Sequence, residues 1–294
     1  MTNTLQFIYN HPLNKKKKIR SVLNFLKWQI SSRLWDGSFV FEWINDSKLV
    51  IKRGMTGATG NIYVGLMEYE DMSFLLHYLH EDDLFFDIGA NVGVYTVLAS
   101  KVKHANTVCI EPLPLTYEKL RDNIQINRLD NVTSLNIGLS YEKSKLHFTT
   151  DKDTMNGVVI ASDANNQEEV DVDTLDNISK LYGVPRVIKI DVEGFEANVL
   201  KGAHNVLKDE KLEVIIIELN GSGIKYGFSD DEIHNDLKKL EFNAFKYIPL
   251  ERKLIKLEKH GTTHNTIYIR EAVLANIEIA IKNANSFKCH ELFI

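Results

Sequence analysis

The chain has little cysteine and no surplus of positive charge, and each shortage narrows what the protein can be. Its two cysteines, Cys109 and Cys289, stand outside any metal-ligand or Cys-x-x-Cys spacing, which argues against a disulfide framework and suits a reducing compartment. A formal net charge of −5 lacks the long-range pull on a phosphate backbone that a dedicated nucleic-acid binder exerts. No apolar run approaches the roughly 18 to 20 residues of a spanning helix, and the lysines at 15 to 18 come too late for a signal peptide. The expectation is a cytoplasmic protein. What is present is ordinary globular material: 44% hydrophobic and 26% charged residues over 294 positions, enough to bury a sizeable core.

Residues 15 to 34 open with the lysine run and then place Ile19, Val22, Leu23, Leu26 and Ile30 at helical spacing, with Phe25 and Trp28 close by. This predicts an amphipathic helix with a basic N-terminal end. Two readings stay open: the stripe packs on the main domain with the lysines in water, or it docks on an anionic membrane surface. Two β-favouring runs, Phe39 to Ile44 and Leu49 to Arg53, flank Asn45, Asp46 and Ser47 and read as a hairpin. The glycine-rich stretch Gly54 to Gly60 reads as a loop, placing an N-terminal appendage at 1–60 and the main domain at 61–294.

From about residue 70 short apolar runs alternate with helical stretches. Leu84 to Phe86, Thr107 to Ile110, Val132 to Ile137, Arg186 to Ile190 and Val214 to Ile217 are the runs; Tyr95 to Lys101, Pro114 to Asn127, Phe195 to Leu207 and Asp230 to Leu240 are the helices. Such alternation predicts an α/β fold, a mostly parallel Rossmann-like sheet covered on both faces. Phe242 to Tyr247 and Asn265 to Arg270 are expected to finish it as an antiparallel pair at one edge.

The sharpest motif is Phe85-Phe86-Asp87-Ile88-Gly89-Ala90-Asn91-Val92-Gly93-Val94-Tyr95-Thr96, which follows a strand and opens a helix. Gly89 and Gly93 allow a sharp turn and close approach of backbone to a ligand. A dinucleotide site prefers Gly-x-Gly-x-x-Gly so that a pyrophosphate rests on the helix N-terminus. Here the spacing is Gly-x-x-x-Gly and Asp87 starts the loop, which disfavours pyrophosphate and suits the ammonium of an amino-acid moiety. Some two dozen residues on, Glu111 ends the second strand, where a carboxylate accepts hydrogen bonds from both ribose hydroxyls. Together these residues fit S-adenosylmethionine.

A second constellation, Arg186-Val187-Ile188-Lys189-Ile190-Asp191-Val192-Glu193-Gly194-Phe195-Glu196, ends the fourth strand in carboxylates that should face the same crevice. With the Asp87 to Thr96 stretch, Glu111-Pro112, Asp173-Thr174-Leu175-Asp176 and Val199-Leu200-Lys201-Gly202-Ala203, the chain resembles the FkbM family of methyltransferases over roughly residues 60 to 270. The resemblance implies a class I methyltransferase fold that moves a methyl group to a hydroxyl of a sugar in a glycan or glycolipid, or of a macrolide. It also implies that Asp87, Gly89, Asn91, Gly93 and Thr96 line the methionine part, that Glu111 binds ribose, and that Asn136 and Gly138 lie near adenine.

Asp191 and Glu193 are the candidate bases, acting on a hydroxyl that is a weak nucleophile at neutral pH. Their structural alternatives are a helix cap for Asp191 and a pairing with Lys189 or another cation for Glu193. No metal is required by this scheme, although Asp191, Glu218 and Asn220 would offer a divalent cation three oxygens on one rim. His234 reads as surface or packing, and His264 as a residue that overhangs the site. A nucleic-acid amino-methyltransferase would carry an Asn/Asp-Pro-Pro-aromatic motif where this chain has Asp-Val-Glu-Gly-Phe. A nicotinamide-dependent oxidoreductase and a non-catalytic cofactor-binding module are the alternatives that share the fold.

Overall fold

The computed structural model describes residues 2–15, 17–150, 156–159, 166–261, 265–289 and 292–294; His264 lies outside them. The N-terminal region comprises α1 (Thr2–Asn10), α2 (Lys18–Leu34), the hairpin β1 (Phe39–Glu42) and β2 (Lys48–Ile51), then α3 (Thr56–Val64) and α4 (Tyr69–Tyr78). Asn45 and Asp46 both take positive φ in the hairpin turn, a conformation these two residue types tolerate. The stretch read as a glycine-rich loop is helical from Thr56 onward. Gly60 permits this, since a Cβ there would stand 2.3 Å from Met67 Sδ, and burial of Ala58 and Asn61 holds the helix in place where propensity alone would not.

The alternating region supplies β3 (Leu84–Ile88), α5 (Val94–Val97), β4 (Asn106–Ile110), α6 (Pro114–Ile126), β5 (Val132–Leu135), β6 (Gly138–Leu139), β7 (Ser144–Thr149) and β8 (Gln167–Asp173). It continues through α7 (Leu175–Tyr182), β9 (Val187–Ile190), α8 (Glu196–Lys201), α9 (His204–Lys208), β10 (Val214–Glu218), α10 (Asp230–Lys239) and β11 (Phe242–Ile248). The chain closes with β12 (Lys253–Lys256), β13 (Asn265–Arg270), α11 (Leu274–Asn283), β14 (Lys288–Cys289) and β15 (Leu292–Phe293).

Eight strands form the central sheet in the order β12-β11-β13-β10-β9-β3-β4-β5. The five strands from β10 to β5 run parallel, with Phe85 opposite both Thr107 and Val187. The expected antiparallel pair is β11 and β13; β13 inserts between β10 and β11 and opposes both, and β12 adds a further strand at the edge. A second sheet, β6-β8-β7, was not foreseen, because strands such as Gln167–Asp173 carry four acidic residues in seven and lack an apolar pattern.

Side chains alternate between two cores, as a sheet covered on both faces requires. Phe85, Val187 and Ile216 pack on one side with Phe74, Tyr247 and Ile277; Phe86, Ile188 and Ile215 pack on the other with Val199, Leu207 and Leu237. His234 is buried here and meets the Tyr268 hydroxyl at 2.9 Å, a packing role. The helix predicted over Phe195 to Leu207 breaks into α8 and α9, since Gly202 brings its backbone so near Ser140 that a Cβ would lie 2.2 Å from the carbonyl oxygen. Asp176 then caps α9 through the N–H groups of Asn205 and Val206, and Thr174 caps α7. The Asp173-Thr174-Leu175-Asp176 segment thus ties helices together.

The N-terminal hairpin is fastened to α6: Asn123 Oδ1 accepts from Val50 N at 2.6 Å and Asn127 Oδ1 from Lys48 N at 2.7 Å. The face by which α2 packs is the reverse of the apolar stripe, for Ser21, Phe25 and Ser32 are buried whereas Ile19, Leu23, Leu26 and Ile30 are exposed.

Candidate active site at the carboxyl ends of the strands

The loop after β3 turns on two positive-φ glycines. A Cβ on Gly89 would lie 1.8 Å from the Asp191 carbonyl oxygen, and one on Gly93 would lie 2.4 Å from Leu120 Cδ1. Gly89 thereby lets the first loop touch the loop after β9, and the two walls of one cleft meet there. Asn91 also takes a positive φ, and its N–H donates to Glu111 Oε2 at 2.9 Å while Leu113 N donates to Oε1 at 3.1 Å. Glu111 is aimed by two backbone donors before any ligand arrives. Burial pushes its carboxyl up to about 7 against the pull of those donors.

Gly89, Asn91, Glu111 and Gly138 wall a cavity of about 240 Å³ that also reaches Asp191, Glu193 and Glu218. Asp87, Gly93 and Thr96 stand behind the loop rather than in its wall. Asp87 is buried, with Oδ2 accepting the Thr96 hydroxyl at 2.6 Å and Oδ1 without a hydrogen-bond partner. Burial raises its pKa, opposed by the Lys189 ammonium. Asn136 likewise stays out of the wall; its amide donates to the carbonyls of Glu111 and Pro112 at 2.9 Å each and fixes the strand ends. Phe148, from the unforeseen β7, and Leu113 wall the cavity near Gly138.

At the far side, Glu193 holds a positive φ of 54°, a strained value for a residue with a Cβ. The loop is locked by Glu196, whose carboxylate accepts from Val192 N and Gly194 N at 3.1 Å each, and by Gly194, where a Cβ would meet Ser222 O at 2.5 Å. Asp191 is not a cap: α8 starts at Glu196 after Phe195 and has no side-chain cap, and Glu196 ties only the loop before it. Lys189 pairs with Asp191 at 2.8 Å and leaves Glu193 without that partner.

Oxygens of Asp191, Glu193 and Glu218 lie within 4.8 Å of one another. Burial, then the charges of Asp191 and its neighbours, push Glu193 up to about 7 and Glu218 up to about 8. Lys189 is held above its ordinary value despite burial, by Asp191, Glu68 and Asp87. The cation set expected from sequence assembles differently: Glu193 joins Asp191 and Glu218, while Asn220 Oδ1 accepts from Ser222 N at 2.9 Å and serves its own turn.

Sequence reasoning missed Glu68. It lines the cavity and accepts from the Tyr95 hydroxyl at 2.5 Å and from Asn265 Nδ2 at 3.1 Å. Burial raises its pKa. Its only signal was an acidic cluster, Glu68, Glu70 and Asp71, at the start of a helix, which reads as a favourable dipole interaction. Beyond Met67 and Glu68 lies a second cavity of about 370 Å³ between α1 and α4, with Phe7, Asn10, His11 and Tyr69 in its walls.

A parallel sheet with one reversed strand beside β10, a glycine loop after β3 and a carboxylate ending β4 define a class I methyltransferase fold. The pattern of the Methyltransferase FkbM domain matches residues 87–247, more than half of the chain, and the chain belongs to that family. The chain is 30% identical over 157 residues to the hexuronic acid methyltransferase AglP of Haloferax volcanii, a match covering 52% of this chain and 62% of that one. It is 27% identical over 166 residues to Methyltransferase 1 of Beauveria bassiana, covering 47% and 65%. The matches thus span less than two thirds of each relative. Among solved structures, M. jannaschii TYW2 in complex with AdoMet is similar at 12% identity, covering 80% of this chain and 85% of that one with a TM-score of 0.40.

Proposed function

We propose that the protein is an S-adenosylmethionine-dependent O-methyltransferase acting on a hydroxyl of a sugar in a glycan, glycolipid or related metabolite, with residues 61–294 as the catalytic domain and 1–60 as an appendage. The observation that carries this reading is the pairing, across one cleft, of a pre-aimed Glu111 with the carboxylates of Asp191, Glu193 and Glu218. The hexuronic acid named for the relative AglP supports a sugar acceptor. Family membership does not favour a nicotinamide oxidoreductase.

S-adenosylmethionine brings a methyl group already activated on a sulfonium. Glu111 would receive the ribose hydroxyls, and Gly89 and Asn91, in the wall of the cleft, would hold the methionine part. Asp87 and Thr96 hold that loop from behind. Gly138, Leu139 and Phe148 supply an apolar wall for the adenine, with Asn136 fixing the strand ends beneath it. The cluster of carboxylates around one ammonium presents negative potential to a sulfonium.

On the other side, Glu193 or Asp191 accepts the acceptor proton as oxygen bonds to the methyl carbon and the carbon–sulfur bond breaks. Glu193, pushed up to about 7 by burial and the Asp191 charge, is suited to the task at neutral pH. The acceptor enters by the second cavity, past Met67 and Glu68, where the aromatic faces of Phe7 and Tyr69 and the amide of Asn10 suit a hydroxyl-rich ring.

A second reading follows from the 4.8 Å cluster: Asp191, Glu193 and Glu218 suit a hard divalent cation, which would acidify a bound hydroxyl. Assays of tritium transfer from labelled S-adenosylmethionine to a panel of neutral glycosides, with and without EDTA, separate the two. Turnover unaffected by EDTA supports the carboxylate base; turnover abolished by EDTA and restored by Mg²⁺ supports the cation. Absence of transfer to any hydroxyl, despite donor binding, would favour a cofactor-binding module.

A further inference from the structure

The helix α2 turns its apolar stripe away from the protein. Ile19, Leu23, Leu26, Ile30 and Leu34 recur at steps of three and four residues, the spacing of one helical face, and range from 45% to 83% exposed; Trp35 at its end is 62% exposed. The opposite face, Ser21, Phe25 and Ser32, is the one buried against the fold. A helix that packs through Ser21, Phe25 and Ser32, with Val22 and Trp28 half-buried beside them, while leaving five large aliphatics in water has a second partner to meet.

Charge identifies that partner. Residues 15 to 34 hold seven Lys and Arg and no acid, leaving 28 basic against 40 acidic residues elsewhere, a formal charge of +7 set on a remainder of −12. Arg20 and Lys27 flank the stripe on one side and Arg33 on the other, all exposed. Beside α2 runs a groove of about 950 Å³ lined by Arg20, Lys27, Trp28, Phe39 and Lys288, with Glu42 and Asp46 of the hairpin turn also in its wall. No helix among the described residues is long and apolar enough to cross a membrane. Cations ranged along an exposed apolar stripe, with a tryptophan at its end, form the chemistry of a helix lying in the interface of an anionic bilayer. A second copy seated on the stripe would bring two such basic segments together, which like charge opposes.

We infer that the outer face of α2 docks the protein on an anionic phospholipid surface, with Ile19, Leu23, Leu26, Ile30 and Leu34 inserted at the headgroup boundary and Arg20, Lys27 and Arg33 over the lipid phosphates. This stands apart from the methyl-transfer reading, because it needs neither donor nor acceptor. The surface localises the enzyme where a lipid-linked acceptor would reside.

The test is co-sedimentation of the full chain with phosphatidylcholine vesicles and with vesicles doped with phosphatidylglycerol, at low and high salt, beside sedimentation velocity without lipid. The chain is expected to pellet with the anionic vesicles only and to be released by salt. The Leu23→Asn, Leu26→Asn, Ile30→Asn triple variant is expected to partition at least about tenfold more weakly, with unchanged circular dichroism. Arg20→Gln with Lys27→Gln, which leaves the stripe intact, is expected to weaken anionic binding alone. Failure to pellet with anionic vesicles, equal pelleting of the triple variant, or a stripe-dependent dimer without lipid would overturn the inference.

Discussion

Two charged clusters sit at opposite ends of β9, and they are built on contrary principles. At the amino end Arg186 donates to Glu213 at 2.6 Å and to Asp83 at 2.9 Å, and its guanidinium lies 4.6 Å from the centre of the Tyr78 ring. Three residues on, Lys189 pairs with Asp191 and also faces Glu68 and Asp87, while the Glu193 and Glu218 carboxyls crowd the same cleft. The first cluster holds strands β3, β9 and β10 together. The second crowds carboxyls whose ionisation is opposed by burial and by one another's charge, a perturbation that gathers at functional sites. One strand therefore carries a structural ion pair at its start and the candidate chemistry at its end.

The largest break in this comparison comes from the chemical end. Glu193→Gln removes a candidate base with little change in shape, and methyl transfer is expected to fall by about 10² to 10⁴ while titration with S-adenosylhomocysteine shows near-normal affinity. Asp191→Asn tests the alternative base by the same pair of measurements. Arg186→Met acts on the other end: loss of a half-buried bridge should cost about 1 to 3 kcal/mol of stability in urea unfolding, discounted for its solvent access, with kcat of the folded fraction unchanged.

The titrations sharpen the contrast. With Glu193 raised to about 7, a Glu193 base is protonated in acid, so kcat should climb as pH rises through 7 and then level; Glu218 is raised further, to about 8. Since Glu218 holds its proton more tightly folded than unfolded, its contribution to stability is full below its ordinary value near 4.5 and is lost as pH rises through 8. Glu218→Gln is therefore expected to raise Tm slightly above pH 8, a difference that shrinks in acid.

Much of this was legible from residues. The glycine loop, Glu111 and the Lys189 to Glu196 segment are contiguous motifs, and a sheet that is buried on both faces writes itself as apolar runs. The segments misread share a physical cause. The helix at Thr56–Val64 and the acidic strand at Gln167–Asp173 are set by tertiary packing against local preference. Glu68 reaches the cleft from 43 positions before Glu111, by a folding-back of α3 and α4 that no spacing records. The direction in which α2 points its stripe was invisible for the same reason, because periodicity defines a face and not what covers it.

The central claim is that the cleft takes S-adenosylmethionine through Glu111. Isothermal titration of the purified chain with S-adenosylhomocysteine, repeated with Glu111→Ala and with NAD, tests it most directly. The account predicts micromolar binding of the homocysteine compound, weakened at least about tenfold by loss of the carboxylate, and no heat from NAD. Binding of NAD, or homocysteine-compound affinity indifferent to Glu111, would contradict it.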